Sequence, residues 1–373
     1  MTAERRPRRV VFVQKFVPHY RLPLFELLKE KLAARGVEFV LIYGQPDPFE
    51  GSKIRMEFPS WGTRVKSLII PLPGRYLYWQ GAPFKGRKGD VVIVEHASKL
   101  LDNYVLFALQ QIGFLRLCYF GHGRNFQDAH EIWVARKIKR LMVARVYRWF
   151  AYTQMSVDAL VDQGVDPSII VSVNNTLKHK ATLDEGQVER ESERLVYIGG
   201  LYKDKRIDFL LEAATLVQSR HPGFRLDIVG AGPQVDRVQR FADAHDWCDY
   251  HGEVYGEDRD RILFRSSAIA MPGLVGLVAV DAFHYASPVL TTNCGQHSPE
   301  VAYLADGVNS LILEDEGTPE SYAAMIDRFL SAPALVARLR EGCRASAKEY
   351  TIDATADRFV DAIVPADVPA DAG

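Results

Sequence analysis

Val196-Tyr197-Ile198-Gly199-Gly200-Leu201-Tyr202-Lys203-Asp204-Lys205-Arg206-Ile207-Asp208 decides the fold. An apolar run stops at two glycines, and apolar residues return at helical spacing just beyond Lys205. This predicts a buried strand, a tight turn, and a helix beginning near Lys205. Gly199 and Gly200 allow a ligand close to the backbone. Free amides at the positive end of a helix favour an anion, and Lys205 adds a full charge there. The same letters also describe an ordinary strand–glycine–helix turn with a solvated lysine.

The alternation extends in both directions. Downstream, strands are predicted over 195–198, 225–229, 249–252, 268–271, 288–291 and 310–313, with helices beginning near Lys205, Pro233, Asp258, Leu277 and Pro319. Upstream, strands are predicted over 9–16, 39–43, 91–95, 115–120, 150–153 and 169–173, with helices clearest over 22–34 and 130–147. Strands alternating with helices mark parallel sheets, so the fold class is α/β. The polar stretch 178–194 shows no apolar period and is read as an interdomain connection. The expected division is an N-terminal Rossmann-like domain over 1–180, a linker over 181–194, a second Rossmann-like domain over 195–350, and over 351–373 a helix crossing back to the first domain plus a tail. Ligands of such sheets bind beyond the carboxyl ends of the strands, which places the expected site in a cleft between the two domains.

Size and charge agree with this division. A chain of 373 residues exceeds one ordinary domain. Its 46 Lys and Arg balance 47 Asp and Glu, so no global field attracts nucleic acid. Cys118, Cys248, Cys294 and Cys343 lack zinc-type spacing and read as reduced thiols of a cytoplasmic protein. The basic start precedes an apolar run broken by Gln14 and Lys15, which is too short for a signal peptide. No segment approaches the roughly 20 apolar residues of a membrane span. The expected location is the cytoplasm, or the periphery of the membrane's inner face.

Two further stretches repeat the strand–turn–helix theme. In Leu226-Asp227-Ile228-Val229-Gly230-Ala231-Gly232-Pro233, Pro233 is expected at the first helical position. It reads equally as the wall of a nucleotide site or as a tight turn. In Ile269-Ala270-Met271-Pro272-Gly273-Leu274-Val275-Gly276-Leu277, a strand opens into a helix carrying Asp281. The amides from Leu274 to Gly276 are candidates to cradle a diphosphate, and Asp281 to accept from a ribose; its alternative is a first-turn acid complementing the helix dipole. Asp258-Arg259-Asp260 looks like a metal-binding pair, but capping of the next helix explains it better, and no metal site is expected.

In this order and spacing the three stretches resemble the donor-binding domain of retaining GT-B glycosyltransferases of family four, the glycosyl transferases group 1. The resemblance rests on Gly199-Gly200-Leu201 with Lys205 and Asp208, on Val229 to Pro233, on Gly252-Glu253-Val254 where the family's backbone faces the base, and on Gly273-Leu274-Val275-Gly276-Leu277. Gly295, Pro299-Glu300 and Gly307 to Leu313 resemble the subsequent loop and strand. The likeness is good from Leu195 to Leu313 and looser before. There are departures. Gly200 stands where the family usually has arginine, and the family's paired glutamates eight positions apart fall on Gly273 and Asp281.

The resemblance implies two Rossmann-like domains in the GT-B arrangement and a nucleotide-sugar donor, a UDP-sugar before a GDP-sugar. It implies hexose transfer with retention and no cofactor or metal. Gly199, Gly200, Lys205, Gly230, Gly232, Pro233, Gly252, Glu253, Val254, Gly273 to Gly276 and Asp281 would bind the donor, with Lys205 stabilising the leaving diphosphate. In the first domain, Gln14 to Pro23 follows the first strand and offers His19, Tyr20 and Arg21 as acceptor contacts, with Glu95-His96 after a later strand as a weaker candidate. Ordinary surface polar groups are the alternative. Gly121-His122-Gly123 ends another strand, and His122 matches by position the family's active-site histidine. The acceptor is expected to be a glycan, a lipid-linked group or a small molecule. Lys137, Arg140 and Arg148, beside Lys139, Arg145, Tyr147, Trp149 and Phe150, form a basic face, read either as solvated or as resting on an anionic membrane. Rival readings are a nucleotide-sugar 2-epimerase on the same fold and a catalytically impaired nucleotide-binding protein.

Overall fold

The computed structural model describes residues 7–46, 55–73, 75–123, 141–179, 183–295 and 297–364. It divides into two compact units, Met1–Lys178 with Ile352–Gly373, and His179–Thr351.

Unit 1 is built on a seven-stranded parallel sheet of order β3-β2-β1-β6-β7-β8-β9. Its strands are β1 (Arg9–Gln14), β2 (Glu38–Tyr43), β3 (Thr63–Arg64), β6 (Val91–Glu95), β7 (Arg116–Gly121), β8 (Arg148–Ala151) and β9 (Ile170–Ser172). Central strands such as Val91-Val92-Ile93-Val94 are apolar without alternation because helices cover both faces. On one face Phe12, Phe25 and Phe120 pack with Phe359; on the other Val11, Val92, Leu117 and Trp149 pack together. Helix α1 (Leu22–Ala34) follows β1, α2 (Asp102–Gln111) follows β6, and α3 (Gln154–Asp162) follows β8. Thr153 caps α3, its Oγ1 accepting the Ser156 amide at 3.3 Å. The last described helix, Ile352–Ile363, lies in this unit, with Phe359 4.5 Å from Phe150 and Lys31 2.7 Å from Asp357.

An antiparallel hairpin, β4 (Leu68–Leu72) and β5 (Arg75–Trp79), is absent from the sequence reading because Pro71, Pro73 and Gly74 interrupt its period. Most of the predicted helix 130–147 lies outside the described residues, as do Lys137, Lys139 and Arg140. The rest of the proposed basic face needs correction. Trp149 and Phe150 are fully buried in β8, so they present nothing to a membrane.

Unit 2 repeats the plan with a six-stranded parallel sheet of order β12-β11-β10-β13-β14-β15. Its strands are β10 (Glu191–Ile198), β11 (Arg225–Val229), β12 (Cys248–Tyr250), β13 (Ser266–Ala270), β14 (Val289–Thr292) and β15 (Ser310–Leu313). The helices are α4 (Ile207–Gln218), α5 (Val235–Ala244), α6 (Gly256–Arg265), α7 (Val278–His284), α8 (Pro319–Leu330) and α9 (Pro333–Glu349); the unit 1 terminal helix is α10. This strand order is the Rossmann order, so both units are Rossmann-like, as the alternation implies.

The polar stretch read as a linker is not a tether. β10 already begins at Glu191, and Arg194 is polar because it pairs with the buried Asp227 at 3.2 Å. Glu185, in a 3-10 turn, meets Arg340 and Arg344 of α9 at 2.5 and 2.9 Å. Pro233 also differs from expectation, lying in the turn ahead of α5 rather than at its first position. Among the described residues no helix is long and apolar enough to cross a membrane.

Candidate active site

In unit 2 the strand order reverses between β10 and β13, the position where open α/β sheets hold ligands. The two loops at that point are 199–206 and 272–277. Gly199 and Leu201 donate their amides to Val229 and Ala231 at 3.0 and 2.9 Å, while Gly230 donates to Gly252 at 2.7 Å. The loops after β10, β11 and β12 are therefore laced together by backbone. A Cβ on Gly232 would lie 2.7 Å from the Leu201 carbonyl oxygen, and one on Gly230 would overlap Gly199. Close loop packing alone requires these two glycines. Gly200 differs: the nearest atoms to a Cβ there belong to the Tyr202 ring rather than to backbone.

Lys205 ends a 3-10 turn and reaches across to the second loop, its ammonium donating to the Leu274 carbonyl at 2.5 Å. Burial pushes its pKa down to about 8, against the opposing influence of Cys294, Asp204 and Glu300. Arg206 follows with φ 56° and donates to Thr292 Oγ1 at 2.9 Å, fixing the turn. Behind the second loop, His297 holds its tautomer through Thr292, donating Nε2–H to that carbonyl at 2.8 Å. Its Nδ1 then accepts the Val275 amide at 3.0 Å. Burial lowers the His297 pKa and Lys205 pushes in the same direction, consistent with a neutral ring.

The expected diphosphate cradle from Leu274 to Gly276 needs correction. The Leu274 amide donates to Asp204 at 3.0 Å and the Val275 amide to His297, so both are engaged inside the protein. Among the described residues, Gly200, Gly276 and Leu277 keep amides without an acceptor. Gly273 touches the 204–205 backbone directly, leaving no room for a side chain.

Asp281 is likewise engaged. Its Oδ1 lies 2.6 Å from Arg259 and 2.8 Å from His179. Burial opposes the charge, but Arg259 and His179 outweigh it and hold the pKa at about 2. The ribose acceptor read from the sequence is thus the centre of an ion cluster. Asp258 sits in the first turn of α6, but Asp260 is no cap: it is buried and accepts from Tyr285 at 2.5 Å. No group of three His, Cys, Asp or Glu able to hold a metal occurs among the described residues. Glu253 is exposed, 3.3 Å from the Tyr255 hydroxyl, and Val254 packs against the unit 2 core.

In unit 1 the strand order reverses between β1 and β6. The chain after β1 makes a 3-10 turn, His19–Arg21. The Arg21 guanidinium lies over the Phe120 ring at 4.9 Å and the Tyr152 ring at 5.3 Å and donates to the Tyr152 hydroxyl. Burial works against its charge, but Tyr152, Tyr20 and Glu95 outweigh it and raise its pKa. Its Nε is buried without a partner. The exposed His122 ring stacks edge-on to Tyr152 at 4.4 Å. The structure therefore gathers Tyr20, Arg21, Glu95 and His122 around Tyr152, a residue the sequence reading missed. Tyr152 follows β8 directly, which was the available signal. His19 lies at the edge of this group, its ring 5.6 Å from that of Tyr20 and its Nδ1 3.2 Å from the Arg55 carbonyl. The His96 ring packs 4.8 Å from that of Trp149 and 5.0 Å from that of Tyr119.

Two units of Rossmann order, each with polar groups at its switch point, define the GT-B class of fold. Residues 192–332 match the family model of the glycosyl transferases group 1. An uncharacterized glycosyltransferase of Haemophilus influenzae is 24% identical over 189 residues, 50% of this chain and 52% of that protein, so the chain spans about half the length of that relative. A glycosyltransferase from Rickettsia africae shares the fold with TM-score 0.69 at 12% identity, over 96% of this chain and 98% of that one. The Anabaena protein HepE in complex with UDP gives 0.64 at 14%, over 95% and 98%.

Proposed function

We propose that this protein transfers a hexose from a nucleoside diphosphate sugar, UDP-linked before GDP-linked, to an acceptor hydroxyl with retention of configuration. The observation that carries this reading is Lys205: a half-buried ammonium at the β10/β13 switch point, in the segment that matches the glycosyl transferases group 1. The UDP complex of HepE, a protein of the same fold, supports the choice of base.

As the glycosidic bond breaks, negative charge builds on the departing diphosphate. A partly desolvated ammonium already held in place stabilises that charge with little reorganisation. The amides of Gly200, Gly276 and Leu277 add dipoles. Unit 1 receives the acceptor at Tyr20, Arg21 and Glu95, with His19 at its margin, and His122 positions the transferred sugar. A glycan, a lipid-linked group or a small molecule meets those requirements. The proton of the attacking hydroxyl passes to the leaving phosphate, so no protein base is required.

A second reading, nucleotide binding without chemistry, draws on the engaged Leu274 and Val275 amides and on Asp281. A thermal-shift series with UDP, GDP and their sugars, followed by product analysis with and without acceptors, tests both. The proposal expects stabilisation by one diphosphate series and an α-configured product from an α-configured donor. Binding without turnover supports the second reading, and an isomerised nucleotide sugar formed from donor alone identifies an epimerase instead.

A further inference from the structure

The hairpin β4–β5 has two unlike faces. Residues paired across an antiparallel ladder share a face. Ile69 pairs with Tyr78, which is fully buried, so that face meets the body of unit 1. Leu68 pairs with Trp79 and Ile70 with Leu77, so the opposite face is apolar and turned outward. Leu68 is 57% exposed and Leu72 38%. Phe84, 81% exposed, extends the patch, its ring 6.0 Å from that of Trp79.

The hairpin is firmly mounted. Tyr78 exchanges backbone hydrogen bonds with Lys99 and Leu101 at 2.9 Å each. The buried Asp102 carboxylate accepts the Gln80 and Ala82 amides at 2.7 and 2.8 Å. A rigid, projecting, apolar sheet face is unusual unless something covers it.

Charge identifies the occupant. From residue 58 to residue 89 there is no Asp or Glu, whereas Arg64, Lys66, Arg75, Lys85, Arg87 and Lys88 are all basic. This occurs in a chain whose charges balance overall. The exposed Arg64, Lys66, Lys85 and Lys88 flank the apolar face in sequence. Arg87 lies 3.9 Å from Glu38, and its backbone amide donates to Asp90 at 2.7 Å. Apolar and aromatic side chains flanked in sequence by exposed cations suit an anionic bilayer surface, where the rings enter the headgroup boundary and the cations meet lipid phosphates. A symmetric second copy is disfavoured because its cations would face their own kind.

We propose that the outward face of the β4–β5 hairpin, with Phe84, docks unit 1 on an anionic lipid surface. This inference does not depend on the reaction catalysed. The test is co-sedimentation of the full chain with vesicles of phosphatidylcholine alone and of phosphatidylcholine with phosphatidylglycerol. Binding is expected only to the second, with blue-shifted tryptophan emission that Trp79→Phe diminishes. Leu68→Ser with Phe84→Ser should weaken partitioning by more than tenfold, and Lys85→Ala by about fivefold, with a weaker salt dependence. The lysine variant keeps the test valid if the serine variant folds poorly. Equal binding to both vesicles, no binding to either, or wild-type partitioning by the folded serine variant overturns the proposal. So does a concentration-dependent dimer that the serine variant abolishes, since the face then belongs to a second copy.

Discussion

Gly273 and Lys205 meet backbone to backbone: a Cβ on Gly273 would lie 2.5 Å from the Lys205 carbonyl carbon and 2.7 Å from its Cα. The same contact lets Leu274 present its carbonyl to the Lys205 ammonium and donate its amide to Asp204. A carboxylate at position 273 and this arrangement of Lys205 exclude each other. Gly273→Glu should therefore not improve turnover. It should cost unit 2 about 3 kcal/mol of stability by overpacking and weaken nucleotide binding, read by melting temperature and UDP titration. A stable, faster Gly273→Glu enzyme would refute the contact.

Lys205→Ala should lower turnover by about 100-fold, on the order of 3 kcal/mol of barrier, with the melting temperature retained. A rate near that of the unmodified protein would remove Lys205 from the chemistry.

The depressed pKa of Lys205 also sets a pH dependence. Below about pH 8 the free protein already carries the ammonium, so diphosphate affinity should be flat. Above it, binding must take up a proton, because the bound anion raises the lysine pKa. Affinity for UDP should then fall about tenfold per pH unit until the raised pKa is reached. Calorimetry in buffers of different ionisation enthalpy measures the proton uptake, and Lys205→Ala should abolish it.

His122→Ala should lower kcat by about tenfold or more while leaving UDP affinity within about twofold, since the residue lies in unit 1 and its proposed partner is the sugar. The reverse split would make it a nucleotide contact.

Asp227 holds a different kind of charge. It is fully buried, 2.6 Å from Arg265, 2.7 Å from His251 and 3.2 Å from Arg194. Burial opposes its ionisation, yet His251, Arg265 and Arg194 hold its pKa below the usual carboxylate range. Asp227→Asn takes the buried anion from Arg265 and leaves Arg194 only Glu191 and Asp249 nearer the surface, and should destabilise unit 2 by about 3 kcal/mol, measured by urea denaturation. Because the folded pKa is the lower one, the stability Asp227 confers is complete above about pH 4 and is lost as the pH falls through the folded value.

Chain order and polarity alone determined the architecture here. Apolar runs such as Val91 to Val94 can be buried only between two helical layers, and that pattern, occurring twice, specifies paired Rossmann-like sheets. Gly199, Lys205 and Gly273 to Gly276 were legible as loops beyond strand ends for the same reason, since each segment follows a strand. The tertiary structure decided which polar groups remain available. The Leu274 amide, Asp281 and the glycines at 230 and 232 are engaged by Asp204, Arg259 and neighbouring backbone 22 to 70 residues away in the chain, and no local spacing encodes such pairings. It also brought Tyr152 to Arg21 and turned the apolar face of an unforeseen hairpin outward. Periodicity tells a chain which side to bury; only packing tells each hydrogen-bonding group whether a partner has already reached it.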